Sequence, residues 1–102
     1  MAMIVVLYKA PKNAGTFNQY YFNTHVPIAK KMPGLRKYEV NAGVIGAPPG
    51  ASPVHLIAML SFDSLVAIES ALGSPEGQAA AGDLANFADG GADVYFYDTE
   101  EL

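Results

Sequence analysis

The 102-residue sequence has no cysteine, and only 16% of its residues are charged. The first absence removes disulfides, thiolate nucleophiles and thiolate metal sites, so redox chemistry does not constrain the compartment. The second leaves little polar surface for an isolated monomer whose composition is 51% hydrophobic, and an oligomer is expected on that ground alone. Basic residues are scarce: six Lys and Arg face ten Asp and Glu, giving a net charge of -4, with no cluster beyond Lys30-Lys31 and Arg36-Lys37. That argues against nucleic acid as a partner, since phosphates need a basic stripe, and equally against a membrane surface. Long hydrophobic runs are missing as well. The apolar stretch from Met1 to Tyr8 is too short for a membrane span and has no basic residue ahead of it, so a cytoplasmic protein is expected.

Familiar catalytic devices are also absent. There is no G-x-G-x-x-G, no phosphate loop, no G-x-S-x-G elbow and no H-E-x-x-H. Gly73-Ser-Pro-Glu-Gly77 reads as a helix junction, and two histidines alone make no zinc motif. Asp83, Asn86 and Asp89 are oxygen donors in principle, but Asp83 and Asn86 suit hydrogen bonds on a helix surface or at a cap better than a cation. An enzyme built on this chain would be cofactor-free or would borrow an external cofactor.

What is present is a single domain over residues 1–102, long enough to bury roughly two thirds of its unfolded surface around one core. Met3 to Lys9 is a run of branched and aromatic residues with no helical period, ended by Ala10-Pro-Lys-Asn-Ala-Gly15, and predicts a strand and a turn. Thr16 is the expected N-cap of the next helix. Beyond Pro33-Gly34, residues Leu35 to Ile45 are extended, and the loop Gly46 to Pro53 leads to an apolar strand from Val54 to Phe62. Asp63 is the expected cap of a helix from Ser64 to Leu72, closed by Gly73. Ser74-Pro75-Glu76 then opens an Ala/Gly-rich helix to Ala88 with Leu84 and Phe87 on one face. Val94 to Tyr97 is a last strand.

This order predicts an α+β, ferredoxin-like split βαβ fold: a four-stranded antiparallel sheet with helices on one face. The first, third and fourth strands do not alternate apolar with polar residues, so both sheet faces need cover. A second copy stacked face to face would supply it, closing a dimeric α/β barrel with an apolar interior that serves as a pocket.

Chemistry concentrates between Phe17 and Leu35. On a helix, Phe17, Tyr21, Thr24 and Ile28 share one face, with Tyr20 and His25 on its flanks, and Tyr21 and His25 are one turn apart. Pro27 lacks an amide hydrogen, so the helix should kink or restart just after His25. An imidazole beside a phenol at the border of a buried face is a candidate general acid or base. Equally, a histidine ahead of a proline kink can bond freed carbonyls and lock the helix. His55 lies on the third strand in phase with Ile57 and Met59; it is a second catalytic candidate if that face lines the barrel, a satisfied core histidine, the favoured reading, if it meets the helices, and otherwise an exposed residue at the strand end. Tyr8, Tyr38, Tyr95 and Tyr97 are strand phenols able to donate to a developing oxyanion, or to pack a core or an interface.

The spacing Phe17, Tyr20, Tyr21, His25, Pro27 and Pro33-Gly34-Leu35 resembles the EthD family of dimeric α/β barrels, and Phe62-Asp63-Ser64, Ser74-Pro75-Glu76, Asp83, Asn86, Phe87 and Asp89 follow the same pattern. That resemblance implies a homodimer of ferredoxin-like subunits. The family is named for a protein linked to bacterial degradation of an alkyl ether alongside a haem monooxygenase system. Relatives on the barrel include lactone isomerases, polyketide cyclases and cofactor-free monooxygenases. Tyr21 stands where the family often has tryptophan. The site expected from residues and resemblance together has His25, Tyr21 and His55 as catalytic residues, and Tyr8, Phe17, Tyr38 and Tyr95 against a small hydrophobic carbonyl, lactone or phenolic compound. The alternative is a non-catalytic ligand carrier or an accessory to an oxygenase.

Overall fold

The computed structural model describes residues 1–102. Strands β1 (Ala2–Lys9), β2 (Lys37–Val40), β3 (Val54–Phe62) and β4 (Ala92–Asp98) form one antiparallel sheet in the order β2-β3-β1-β4. Between β1 and β2 runs a helix in three pieces: α1 (Ala14–Tyr20), a π-helical turn (Tyr21–His25) and α2 (Val26–Ala29). Helices α3 (Leu65–Gly73) and α4 (Pro75–Phe87) connect β3 to β4. The expected ferredoxin-like α+β order is therefore the observed one.

The helices cover one face of the sheet. On β1, Ala2, Ile4, Val6 and Tyr8 are buried, while Met3, Val5 and Leu7 between them are only half-buried. The pleat sends alternate side chains to opposite faces, and cross-strand partners share a face. Leu56, Ala58 and Leu60 of β3 are buried in register with Tyr8, Val6 and Ile4. The other face carries Met3, Val5, Leu7, Ile57 and Met59, with Tyr95 and Tyr97 opposite Val5 and Met3. It has no helix over it.

Several local expectations change. Asn13, not Thr16, caps α1: its Oδ1 accepts the Thr16 amide at 2.9 Å, so the helix begins three residues earlier. Ser64, not Asp63, caps α3 by accepting the Ala67 amide, while Asp63 pairs with Arg36 at 2.8 Å on the surface. The extended segment after Gly34 shrinks to β2, because past Asn41, whose N–H bonds the Ile57 carbonyl and whose Oδ1 accepts the Ile57 amide, the chain leaves β3. At the α3–α4 corner Ser74 both ends one helix and starts the next, accepting the Gly77 amide at 3.0 Å. A Cβ on Gly77 would fall 1.9 Å from the Ala71 carbonyl oxygen, so only glycine lets the two helices meet so tightly.

The break in the first helix positions the site. Pro27 has no N–H for an α-register bond. Just ahead of it the Val26 amide bonds the Tyr21 carbonyl, an i→i−5 contact that widens one turn, and α2 restarts directly after His25. Steps of four residues drift by about 40° each on a regular α-helix. The wide turn cancels part of that drift, so Phe17, Tyr21, His25 and Ala29 all point inward. The helical face expected to include Thr24 and Ile28 is corrected accordingly: Thr24 is exposed and Ile28 half-buried. Gly34, at a φ of 80°, turns the chain toward β2.

Candidate functional site

His25 emerges from the wide turn into the space between helices and sheet, where it is only 5% exposed. Its Nδ1 lies 2.9 Å from Oδ2 of Asp83, which α4 presents at 6% exposure. The other Asp83 oxygen accepts from the Tyr20 hydroxyl at 2.6 Å and the Asn86 amide at 2.9 Å. Burial alone would raise the Asp83 carboxyl, but the hydrogen bonds from Tyr20, Asn86 and His25 outweigh it and hold it below the ordinary carboxylate value. An ionised carboxylate only accepts, so Nδ1 carries the imidazole proton and Nε2 bears the free lone pair. Burial pulls His25 below the ordinary imidazole value, and Asp83 opposes that shift without overcoming it. The resting ring is neutral.

Around this pair lies an aromatic cluster. Phe87 packs against His25, Phe17, Tyr20 and Tyr8 at centroid distances of 4.7 to 5.5 Å, and Tyr21 lies 5.4 Å from His25. The Tyr21 and Tyr38 hydroxyls share a short hydrogen bond. Burial, reinforced by neighbouring phenols, raises Tyr8 and Tyr21 well above the ordinary phenol range; burial raises Tyr38 as well. These hydroxyls stay protonated near neutrality.

A cavity of about 80 Å³ opens beside the pair, between the sheet and α4. Its wall is aliphatic apart from His25, Tyr8 and Tyr38. No buried side-chain nitrogen or oxygen in the chain lacks a hydrogen-bond partner. His25 Nε2 and the Tyr8 hydroxyl bond to no residue, so both reach open space, and the cavity they line is that space. It offers one acceptor and one donor in apolar surroundings, suited to holding a polar group and moving a proton on it.

The structure gathers His25, Tyr21, Tyr8, Phe17 and Tyr38, though Phe17 and Tyr21 pack against Tyr8 in the aromatic cluster and are not on the cavity wall. His55 and Tyr95 lie elsewhere. The pairing of β1 with β3 shifts register between Tyr8 and Lys9, opposite His55, and this local irregularity takes His55 out of phase with Ile57 and Met59. Its Nε2 meets Asn18 Oδ1 at 2.7 Å and its ring meets the edge of Phe17. It thus touches α1 but is half-buried, not the expected core histidine, and does not line the cavity. Tyr95 stands 57% exposed on the bare sheet face. The cavity described here lies between the sheet and the helices of one chain, on the face opposite the one expected to line a barrel between two sheets.

Asp83 is the residue that the sequence reading misplaced on a helix surface. Gly77, Ala80, Asp83 and Phe87 recur at helical spacing as the buried stripe of α4, and a carboxylate in line with glycine, alanine and phenylalanine was the available signal.

Comparison with known proteins bears on this arrangement. The EthD domain family matches residues 11–91. A relative from Rhodococcus erythropolis, described as an uncharacterized 11.0 kDa protein in the thcB-thcC intergenic region, is 34% identical over 100% of this chain and 98% of its own. A crystal structure of an EthD family protein from Bacillus halodurans superposes with a TM-score of 0.88 at 31% identity, covering 98% of this chain and 99% of that one. More distant chains share the fold. SnoaB, a cofactor-independent oxygenase from Streptomyces nogalater, has a TM-score of 0.66 at 12% identity over 99% and 94% of the two chains. A dimeric protein of ferredoxin-like fold from Bacteroides fragilis has 0.61 at 22% over 96% and 95%.

Proposed function

The chain belongs to the EthD family, and on that premise we propose that it binds a small, largely apolar carbonyl, lactone or phenolic compound in the cavity beside His25 and moves a proton on it without a cofactor. The observation that carries this reading is the neutral imidazole whose Nδ1 is held by buried Asp83 while Nε2 reaches the cavity. Nε2 takes a proton from a carbon next to the carbonyl, the C–H electron pair forms a C=C bond while the carbonyl π pair moves onto oxygen, and Asp83 balances the imidazolium that forms. The Tyr8 hydroxyl donates to that oxygen, and the Tyr21–Tyr38 pair fixes the neighbouring wall. Return of the proton at another carbon completes an isomerisation. A fold shared with a cofactor-independent oxygenase accords with this chemistry.

The assembly proposed is a cytoplasmic homodimer through the bare sheet face, in keeping with the dimeric protein of the same fold. No helix is long and apolar enough to cross a membrane.

Incubation of small ketones, lactones and phenols with the protein in D2O, followed by proton NMR, tests the reading. Wild type should catalyse exchange at the activated carbon, and His25→Ala should slow it by at least about 100-fold. Exchange that survives in His25→Ala contradicts it. A second reading, a non-catalytic carrier or oxygenase accessory, is favoured by the aliphatic cavity wall, which suffices for binding. It predicts binding without exchange, retained in His25→Ala.

A further inference from the structure

The charges of the molecule are distributed unevenly around the cavity. All six cationic side chains, Lys9, Lys12, Lys30, Lys31, Arg36 and Lys37, lie off its wall. Lys9, Arg36 and Lys37 instead pair with Asp93, Asp63 and Glu39 at exposed positions. Asp83, bonded to His25 of the cavity wall, puts a negative charge beside the cavity, and both of its oxygens are already engaged by His25, Tyr20 and Asn86. Neutral His25 supplies a lone pair there, and Tyr8 supplies a hydroxyl. An anion entering this space would give up its water, find no cation and meet the field of a carboxylate. An uncharged carbonyl group would exchange its water for the Tyr8 hydroxyl, and an adjoining N–H, where present, would find Nε2 as well.

We infer that the cavity is a charge filter: it takes an uncharged carbonyl compound and rejects a carboxylate of the same size and shape. The inference rests on the proposed cavity site and narrows its substrate class. Lactones, ketones and amides pass; their ring-opened or oxidised acids do not. A product converted to a carboxylate would be expelled, so the filter also favours release after any reaction that creates an acid.

Benzamide and benzoate are the discriminating probes, because they match in size and differ in charge at about pH 8. Binding is followed through the ring-proton signals of His25, which place the ligand in the cavity. Benzamide should bind at least about tenfold more tightly than benzoate, and Tyr8→Phe should reduce that preference by weakening benzamide. Leu84→Lys, at a half-buried position on the cavity wall, should gain benzoate binding by about tenfold or more. Benzoate binding as well as benzamide to wild type overturns the filter and leaves proton transfer standing. Failure of both probes to perturb His25 overturns the filter and the cavity site together. Loss of proton exchange with the benzamide preference intact removes the catalytic reading and keeps the filter.

Discussion

The two faces of the sheet are almost equally apolar, yet they do different things. One carries Ile4, Val6, Tyr8, Leu56, Ala58 and Leu60 under the helices, and everything titratable and buried gathers above it. The other carries Met3, Val5, Leu7, Ile57 and Met59 with Tyr95 and Tyr97, the tyrosines 57% and 46% exposed. Hydrophobicity alone therefore does not say which face is core. The covered face is distinguished by groups that need each other: the Tyr21 hydroxyl bonds Tyr38 of another element, and the Asp83 carboxylate takes Tyr20 and His25 from the first helix besides Asn86 of its own. The bare face needs only another apolar surface, which a second copy would supply in the proposed dimer.

The sharpest way to break this contrast is to damage the covered face alone. Phe87→Ala removes the ring that touches His25, Phe17, Tyr20 and Tyr8, and should cost about 3–5 kcal/mol in urea unfolding while leaving the bare face able to self-associate. Asp83→Ala strands the Tyr20, Asn86 and His25 donors together and should cost about 2–3 kcal/mol; Asp83→Asn, which retains an acceptor oxygen, should cost less. The reverse experiment is Val5→Glu, at the middle of the bare face opposite Tyr95 and Met59. Sedimentation equilibrium should show the dimer weakened by about 100-fold or more, with benzamide binding in the cavity unchanged. Equal loss of cavity binding would show that the two faces are not separable.

Acid should act on the covered face by a smaller, graded effect. His25 titrates lower in the folded protein than its ordinary 6.5, because burial disfavours the charged ring, so the unfolded chain binds its proton first. Stability therefore falls as pH drops below about 6.5, by at most about 1.4 kcal/mol per pH unit, until the folded ring also protonates. Asp83, held below its ordinary 3.8 in the folded state against burial by Tyr20, Asn86 and His25, adds a further loss as pH falls below about 3.8. Urea midpoints across this range should flatten in the upper window for His25→Gln and in the lower one for Asp83→Asn.

Much of this contrast was legible in the sequence. Apolar runs bounded by Gly and Pro gave four strands in the right order, and Ser74-Pro75-Glu76 marked the junction of α3 and α4. Pro27 announced a break but not its form, because the same missing amide permits a kink or a widened turn, and only packing selects the turn that aims Tyr21 and His25 inward. The caps slipped by one to three residues because Asn13 and Thr16, or Asp63 and Ser64, are all competent cap residues. His55 was misplaced because a register shift is invisible to period-two counting. Asp83 was missed because a carboxylate defaults to the surface unless its partners are known, and those partners lie as far as 63 positions away.

The most direct test of the central claim is nitrogen-15 NMR of the two imidazoles through a pH titration, with tautomers assigned. His25 should hold the Nδ1–H tautomer with a midpoint below about 6.5, and benzamide should shift its Nε2 signal. A His25 that rests as the Nε2–H tautomer, or whose Nε2 ignores every cavity ligand, would contradict the account and leave the pair with Asp83 as an anchor between two helices.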